Sequence, residues 1–281
     1  MSRAVETFYE GLDFGEGPRW HDGRLWVSDF FAHHVLSFGS GGDHRVEVEL
    51  DDQPSGLGWL PSGDLLVVAM QSRQVRRVDA AGAVHLHADL STIATGHCND
   101  MVVDGEGNAY VGNFGFDMEA GERPRGADVA LVRADGSVEV AAADLQFPNG
   151  SVVTPDGRTL IVGESMGGRY TAFTIGDDGR LSDRREWAAL SGKFPDGCAL
   201  DADGAIWMAD AAGSGCARVA EGGEILDEVV ASQPVFACAL GGAERRTLFL
   251  VTAPSFGEAQ AGTGNGRIEV VDVDVPGAGW P

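Results

Sequence analysis

The sequence predicts an all-β fold, a six-bladed β-propeller with four antiparallel strands per blade whose ring is closed by the N-terminal strand. Three observations predict it. A unit of two apolar strands around an Asp- and Gly-rich turn occurs six times. Its spacing of about 40 to 50 residues suits one propeller blade. Glycine is frequent, at 41 of 281 residues spread along the chain, which indicates many tight turns.

The six copies of this unit begin at Gly15, Pro54, Cys98, Pro148, Pro195 and Val235. Two more stretches of alternating apolar residues typically follow a copy, so a repeat supplies about four short strands. The last repeat offers only three clear strands, at Phe236–Leu240, Arg246–Thr252 and Gly266–Val271. An unpaired strand, Arg3–Tyr9, precedes the first repeat, and pairing it with the last would close the ring without an exposed edge. We therefore expect one domain over residues 1–281.

The charge balance excludes some classes of function. Lys and Arg number 20 and Asp and Glu 43, which gives a net charge of −23 at pH 7. Such a charge repels phosphate backbones and anionic membranes, so neither nucleic acid nor a membrane is an expected partner. The N-terminal stretch lacks the apolar core of a signal peptide, and we expect a cytoplasmic monomer or weak homo-oligomer. The four cysteines show no C-x-x-C spacing, which argues against a zinc knuckle or redox motif.

Equivalent positions of the repeats predict a metal site. The innermost strand of each propeller blade starts near the central channel, so equivalent residues converge there. The six repeats are aligned on one position in the second apolar strand of each unit, which is occupied by Trp26, Leu66, Tyr110, Leu160, Trp207 and Leu248. Eleven residues before each of the last five anchors stand Ser55, Asn99, Asn149, Asp196 and Ala237. A turn shorter by one residue places Glu16 at the same position of the first repeat.

Four of these six converging positions carry oxygen donors. Asn and Asp beside Pro and Gly are also common turn residues. However, two carboxylates buried side by side are costly without a cation. We therefore predict one divalent metal ion, held by Glu16, Asn99, Asn149 and Asp196. Oxygen-only ligands favour Ca²⁺, with Zn²⁺, Mn²⁺ and Mg²⁺ as alternatives.

Four ordered motifs carry a family resemblance that covers essentially the whole chain. They are GEGPRW at 15–20, NDMVVDGEGNAYVG at 99–112, FPNGSVVTPDG at 147–157 and FPDGCALDADGAIWMAD at 194–210. The sequence resembles the family of gluconolactonase, regucalcin (senescence marker protein) and luciferin-regenerating enzyme. The resemblance implies a six-bladed propeller and a metal bound by Glu16, Asn99, Asn149 and Asp196. It also implies hydrolysis of a small-molecule lactone.

The sequence departs from the family pattern at positions that bear on the substrate. His97 stands at the position where sugar-lactonase members of this family have arginine. Asn113 stands where threonine is usual in the family. Asn113 opens an apolar loop, Phe114-Gly115-Phe116, that runs to about Gly126. We expect substrate contacts from His97, Asn113, Phe114 and Phe116. These changes suggest a less hydroxylated and more apolar substrate than a sugar-acid lactone.

The predicted function is metal-dependent opening of a lactone by an activated water. Asp196 is our candidate general base, with the role of ligand alone as the alternative. His97 is a candidate acid, base or substrate donor, or else a passive wall residue. Asp100 is expected to fix Asn99 or a turn amide from behind the ligands. Glu164 and Arg169 are expected to form a structural ion pair, with contact to the substrate as the alternative.

Two other functions remain open at this point. The first is a phosphotriesterase-like hydrolase that uses the same metal on the same type of propeller. The second is a non-catalytic calcium-binding propeller in which the ion is structural. The fold alone does not distinguish them, because function resides in the site.

Overall fold

The computed structural model describes residues 4–279 and contains six four-stranded antiparallel sheets. The chain starts with β1 (Glu6–Leu12) and then forms consecutive blades. The first blade contains β2 (Gly15–His21), β3 (Arg24–Asp29), β4 (His34–Phe38) and β5 (His44–Glu49). The second contains β6 (Pro54–Trp59), β7 (Leu65–Ala69), β8 (Gln74–Val78) and β9 (Val84–Asp89). The third contains β10 (Cys98–Val103), β11 (Ala109–Asn113), β12 (Ala127–Val132) and β13 (Val138–Leu145).

The remaining blades follow the same order. The fourth contains β14 (Pro148–Val153), β15 (Thr159–Glu164), β16 (Arg169–Ile175) and β17 (Leu181–Ala189). The fifth contains β18 (Pro195–Leu200), β19 (Ile206–Asp210), β20 (Gly215–Val219) and β21 (Ile225–Val230). The sixth contains β22 (Val235–Gly241), β23 (Thr247–Thr252) and β24 (Gly266–Asp272). One 3₁₀ turn, Glu258–Gln260, is the helical element of the described residues.

The N-terminal strand closes the ring. β1 pairs antiparallel with β24 and so supplies the fourth, outer strand of the last blade. The predicted propeller and its closure are thereby confirmed, although the strand starts at Glu6. Arg3, at the start of the predicted strand, lies outside the described residues. Because the first and last parts of the chain share one sheet, β1 covers the edge of β24 that would otherwise lack a partner strand.

Burial differs between inner and outer strands. β7 and β11 are buried at every residue, and their sequences are apolar throughout except for Asn113 at the end of β11. The outer strands β5, β9 and β21 are largely exposed. The core therefore lies between the inner strands of neighbouring blades, where the side chains of Trp207 and Tyr110 are fully buried. Within residues 4–279 no helix is both long and apolar enough to span a bilayer.

Glycines let the innermost strands approach one another at the axis. These strands, one per blade, contact their neighbours around the ring. A Cβ atom on Gly150 would lie 2.3 Å from the backbone oxygen of Asp196, and one on Gly56 would lie 2.3 Å from the backbone nitrogen of Met101. Only glycine permits such close backbone contact. Since Gly150 follows Asn149, this contact also brings two predicted ligands to the same end of the axis.

Candidate active site

The sheet register defines one equivalent position per blade at the axis. Each innermost strand begins opposite the last residue of the second strand, as in the pairs Cys98–Asn113, Pro148–Glu164 and Pro195–Asp210. The next residue of the innermost strand occupies the converging position. Around the ring these residues are Glu16, Ser55, Asn99, Asn149, Asp196 and Phe236.

The sixth residue of this ring corrects the sequence analysis. Val235 pairs with Thr252, so the converging residue is Phe236 and the prediction of Ala237 was wrong. The cause is the β22–β23 hairpin, whose strands are each one residue longer than those of the β18–β19 hairpin. Phe249, rather than Leu248, is therefore the equivalent of Trp207.

The four predicted ligands meet in one cavity. Glu16, Asn99, Asn149 and Asp196 are all buried, and all line a cavity of about 290 Å³ at the end of the ring where the innermost strands begin. Phe236 lines it as well, whereas Ser55 does not. Four blades thus place two carboxylates and two carboxamides at its floor.

The floor has the electrostatics of a cation site. Burial raises the pKa of Glu16 well above its usual range, and the charges of Asp196 and Asp100 raise it further. Burial and the charge of Asp100 likewise raise the pKa of Asp196 to about 8. Both effects reflect the cost of burying negative charge away from water, which the charge of Arg19 offsets only in part at Glu16.

Two oxygen atoms at the floor have no hydrogen-bond partner. They are Oδ1 of Asn149 and Oδ1 of Asp196, both fully buried. Buried polar atoms are nearly always paired, so unpaired ones need an explanation. A hard divalent ion would bind both oxygens and neutralise the carboxylates, and the residues present therefore fit such an ion. In the described part of the chain no three His, Cys, Asp or Glu side chains cluster as a metal site, and the fit depends on the carboxamides.

A hydrogen-bond chain links two of the strands that carry these residues. Asn149 Nδ2 donates to Ser165 Oγ over 3.1 Å, and Ser165 Oγ donates to the backbone oxygen of Pro195 over 2.5 Å. Ser165 follows β15 directly, and Pro195 precedes Asp196. These two hydrogen bonds fix the orientation of the Asn149 amide, so that its Oδ1 is the atom without a hydrogen-bond partner.

Asp100 contacts a buried arginine behind the floor. Arg19 Nη2 lies 2.7 Å from Asp100 Oδ1 and also donates to the backbone oxygen of Met101. Asp100 Oδ1 also accepts the backbone amide of Met101, which belongs to strand β10 and not to a turn. Arg19, in the inner strand of the first blade, thereby ties that blade to the third. This role of Arg19, a residue of the motif GEGPRW, was not predicted from the sequence.

The last residue of the second strand anchors a loop in several blades. Asp29 accepts the amide of Phe14, Glu164 accepts that of Gln146, and Asp210 accepts that of Phe194. Asn113 occupies the same position of the third blade. Its Nδ2 donates to the backbone oxygen of Asp128 and its Oδ1 accepts the amide of Gly115, so both ends of the amide hold the apolar loop.

The predicted substrate contacts divide into three groups. Phe114 lines the cavity, as expected. His97 lines an adjoining recess of about 90 Å³ that shares Phe114 with the cavity, and its ring centroid lies 6.0 Å from that of Phe114. Asn113 and Phe116 do not line the cavity, and Phe116 is buried behind it, with its ring centroid 6.2 Å from that of Phe147. Contact of these two side chains with a substrate stays a prediction.

Further aromatic residues of the wall were missed. Phe147 and Phe194 each directly precede an innermost strand, as His97 does, and Phe30 directly follows a second strand, as Phe114 does. Extending the repeat comparison by one residue beyond each strand would have found all three.

Glu164 and Arg169 form the predicted ion pair, with Oε1 and Nε 2.8 Å apart.

These features define the class of the protein: a six-bladed propeller with a buried carboxylate and carboxamide cluster on its axis, beneath an aromatic cavity. The chain belongs to the SMP-30/Gluconolactonase/LRE-like family, whose model matches residues 14–254. This confirms the resemblance seen in the sequence.

Characterised relatives extend over nearly the whole chain. A 6-deoxy-6-sulfogluconolactonase of Pseudomonas putida is 27% identical and covers 95% of this chain and 94% of its own. A pentonolactonase of Haloferax volcanii is 26% identical, and the alignment covers 100% of this chain and 96% of the pentonolactonase. The solved structure of a calcium-binding protein, regucalcin, from Agrobacterium tumefaciens superposes with a TM-score of 0.84 at 21% identity, covering 100% of this chain and 97% of that one.

Proposed function

We propose that this protein is a divalent-metal-dependent lactonase that hydrolyses a cyclic ester. One observation carries the proposal. Two buried oxygen atoms at the floor of an accessible cavity, Asn149 Oδ1 and Asp196 Oδ1, have no hydrogen-bond partner. Two relatives named as lactonases, aligned over nearly the full chain, support the reaction type.

Four side chains would hold the ion: Glu16, Asn99, Asn149 and Asp196. Together they offer oxygen atoms only and a formal charge of −2, which suits Ca²⁺ better than a metal that prefers nitrogen or sulfur. When bound, a divalent ion supplies Lewis acidity that polarises an ester carbonyl. Since four protein groups do not fill the ~6–8 positions of calcium, ligand oxygen or water can complete the set.

Asp196 is the proposed general base. Its carboxylate lines the cavity, where a water molecule attacking the ester carbon would lie. In the proposed reaction Asp196 accepts a proton from that water while the new C–O bond forms. It then returns the proton to the ring oxygen as the lactone C–O bond breaks, which yields a hydroxy acid. His97 lines the adjoining recess and is the second candidate for this proton transfer.

The test is a hydrolysis screen in which acid release is followed with a pH indicator. Aliphatic, aromatic and sugar lactones and a phosphotriester are each tested with Ca²⁺, Mn²⁺, Mg²⁺ or Zn²⁺ added to chelator-treated protein. We expect turnover that requires an ion and that the variant Asn99→Ala loses. Turnover unaffected by exhaustive chelation would overturn the metal dependence. Ion binding without hydrolysis of any lactone or phosphotriester would indicate a structural ion and overturn the enzyme proposal.

A further inference from the structure

The wall of the cavity differs in chemistry from its floor. Of the fifteen described residues that line it, ten are apolar, and six of these are Phe30, Phe114, Phe147, Phe194, Phe236 and Phe256. Phe114 and Phe147 stack with ring centroids 4.6 Å apart and planes 15° from parallel. The rings thus hold one another in place before any ligand enters, which lowers the entropic cost of binding a flat or extended apolar group.

Apolar side chains are exposed at the mouth of this cavity. Met166, Phe194 and Phe256 expose 47%, 45% and 46% of their surface. The other large hydrophobic residues with comparable exposure in the described chain all lie in the outermost strands β5, β9, β13 and β21. Aromatic and methionine side chains exposed together around one opening mark a binding site for an apolar group.

The side chains that line the described cavity include no cationic partner for an anionic substituent. Among the described lining residues there is no Lys, Arg or His, and the polar members are Glu16, Asn99, Asn149, Ser165 and Asp196. Four of these are the proposed ion ligands, and Ser165 is already hydrogen-bonded at both its donor and acceptor. The hydroxyl groups of a sugar lactone would therefore lose water without gaining partners at the wall, which is unfavourable.

We propose that the substrate is an uncharged lactone with an alkyl or aryl substituent, whose ring lies at the polar floor and whose substituent packs between the Phe114–Phe147 stack and the rings of Phe194 and Phe256. This inference rests on the proposed lactonase function and names its substrate class. The cavity of about 290 Å³ is at the lower end of small-molecule pockets, ~300–1,000 Å³, and so suits one ring with a short substituent.

The first test compares lactones that share a ring. The metal-loaded protein is assayed with δ-valerolactone, with δ-decalactone, which adds a pentyl chain, and with glucono-δ-lactone. Each buried methylene should raise kcat/KM about fourfold. Three buried methylenes would then give δ-decalactone a kcat/KM on the order of 50-fold above that of δ-valerolactone. Glucono-δ-lactone is expected to be the poorest of the three. Equal values for the two aliphatic lactones, or a preference for the sugar lactone, would overturn the inference and leave lactonase function intact.

The second test measures binding without turnover. The δ-lactam that carries the same pentyl chain resembles the substrate but resists hydrolysis, and its affinity is measured by calorimetry against that of the unsubstituted δ-lactam. We expect tighter binding of the pentyl lactam by at least tenfold, with a more negative heat-capacity change because apolar surface is buried. Absence of this difference would overturn the inference even if no lactone is hydrolysed, so the two proposals fail separately.

Substitutions at the mouth of the cavity test where the substituent of the lactone binds. Phe194→Ser and Phe256→Ser each remove an exposed ring and should reduce the pentyl-to-unsubstituted ratio, in turnover and in binding, about tenfold. Val230→Ser is the matched control, since Val230 is 71% exposed in the outer strand β21, away from the cavity. It should leave the ratio unchanged. Equal ratios in all three variants would show that the substituent does not occupy the aromatic wall.

Discussion

Asn149 Nδ2 lies 3.1 Å from Ser165 Oγ, and this contact leaves Asn149 Oδ1 as the amide atom without a hydrogen-bond partner. Ser165 donates in turn to the backbone oxygen next to Asp196 and so ties two ligand-bearing strands together. Ser165 is thus a positioning residue for the proposed metal site. Its hydroxyl does what the partners of metal ligands commonly do, which is to hold the ligand atom in one orientation.

Replacing Ser165 tests this positioning role. Ser165→Ala should weaken ion binding by about 10- to 100-fold, because the Asn149 amide loses the bond that orients it. Ser165→Thr keeps the hydroxyl and should restore most of the affinity. Calorimetric titration of chelator-treated protein with Ca²⁺ measures both. An unchanged dissociation constant in the alanine variant, with melting temperature also unchanged, would contradict the role.

Ion binding should stabilise the ring. The proposed ligands come from four separate blades, so an ion bound to the folded state alone raises its stability by mass action, by ~2.7 kcal/mol at 100 times the dissociation constant. For a chain of this size we expect a rise in melting temperature of roughly 5 °C or more. Differential scanning calorimetry with and without EDTA measures it. Asn99→Ala should abolish the response, and a response that survives in this variant would place the ion elsewhere.

Asp196→Asn separates the roles of ligand and base. A carboxamide oxygen can still bind the ion, but it does not accept a proton at neutral pH. We expect retained metal and a kcat reduced by about 10²–10⁴-fold. Metal content must be measured beside turnover, since loss of the ion would also lower the rate. A variant with stoichiometric metal and nearly full activity would show that another group, with His97 next, accepts the proton.

His97→Arg tests the link between the recess and substrate choice. His97 lines the recess beside Phe114, and an arginine there would place a cation and several donors near the cavity. We expect kcat/KM for glucono-δ-lactone to rise relative to that for δ-valerolactone, by about tenfold. The prediction concerns the ratio and not the absolute rate. A ratio equal to that of the unmodified protein would show that position 97 does not contact the substrate.

Glu164 should make stability depend on pH. Burial alone would raise its pKa, but hydrogen bonds from Arg169, Thr171 and the amide of Gln146 lower the pKa below its usual value. A lowered pKa in the folded state means that the stabilising effect is present above the unfolded pKa of about 4.3 and is lost as pH falls through the folded value. Glu164→Gln should therefore cost about 2–3 kcal/mol at pH 7 and progressively less below about pH 4.

Urea unfolding at several pH values measures this difference. The control is Glu221→Gln, which removes an exposed ion pair with Arg185 and should change the free energy of unfolding by less than ~1 kcal/mol. A Glu164→Gln penalty that stays constant from pH 7 to pH 3 would show that the charge of Glu164 is not what stabilises the loop of Gln146.

Much of the fold could be predicted because a propeller repeats its own pattern. Each repeat shows the alternation of strands and a turn at fixed spacing, and the missing strand of the last blade left only one way to close the ring. The same repetition placed Glu16, Asn99, Asn149 and Asp196 at equivalent positions. It failed at Ala237, because a hairpin with longer strands changes the count without changing the apolar pattern, and only the pairing of Val235 with Thr252 shows Phe236 to be the equivalent residue.

The sequence by itself determined which residues are equivalent in the first five blades, since equivalence there depends only on position within the repeat, whereas strand pairing decided it in the sixth. The tertiary structure decided which of those residues face the cavity and which hold the backbone. Asn113 and Phe114 are neighbours in the chain, yet the amide of Asn113 is occupied by loop bonds while Phe114 joins an aromatic wall with Phe147 from the next blade. Side-chain direction at the axis depends on contacts between blades, and such contacts join residues far apart in the sequence.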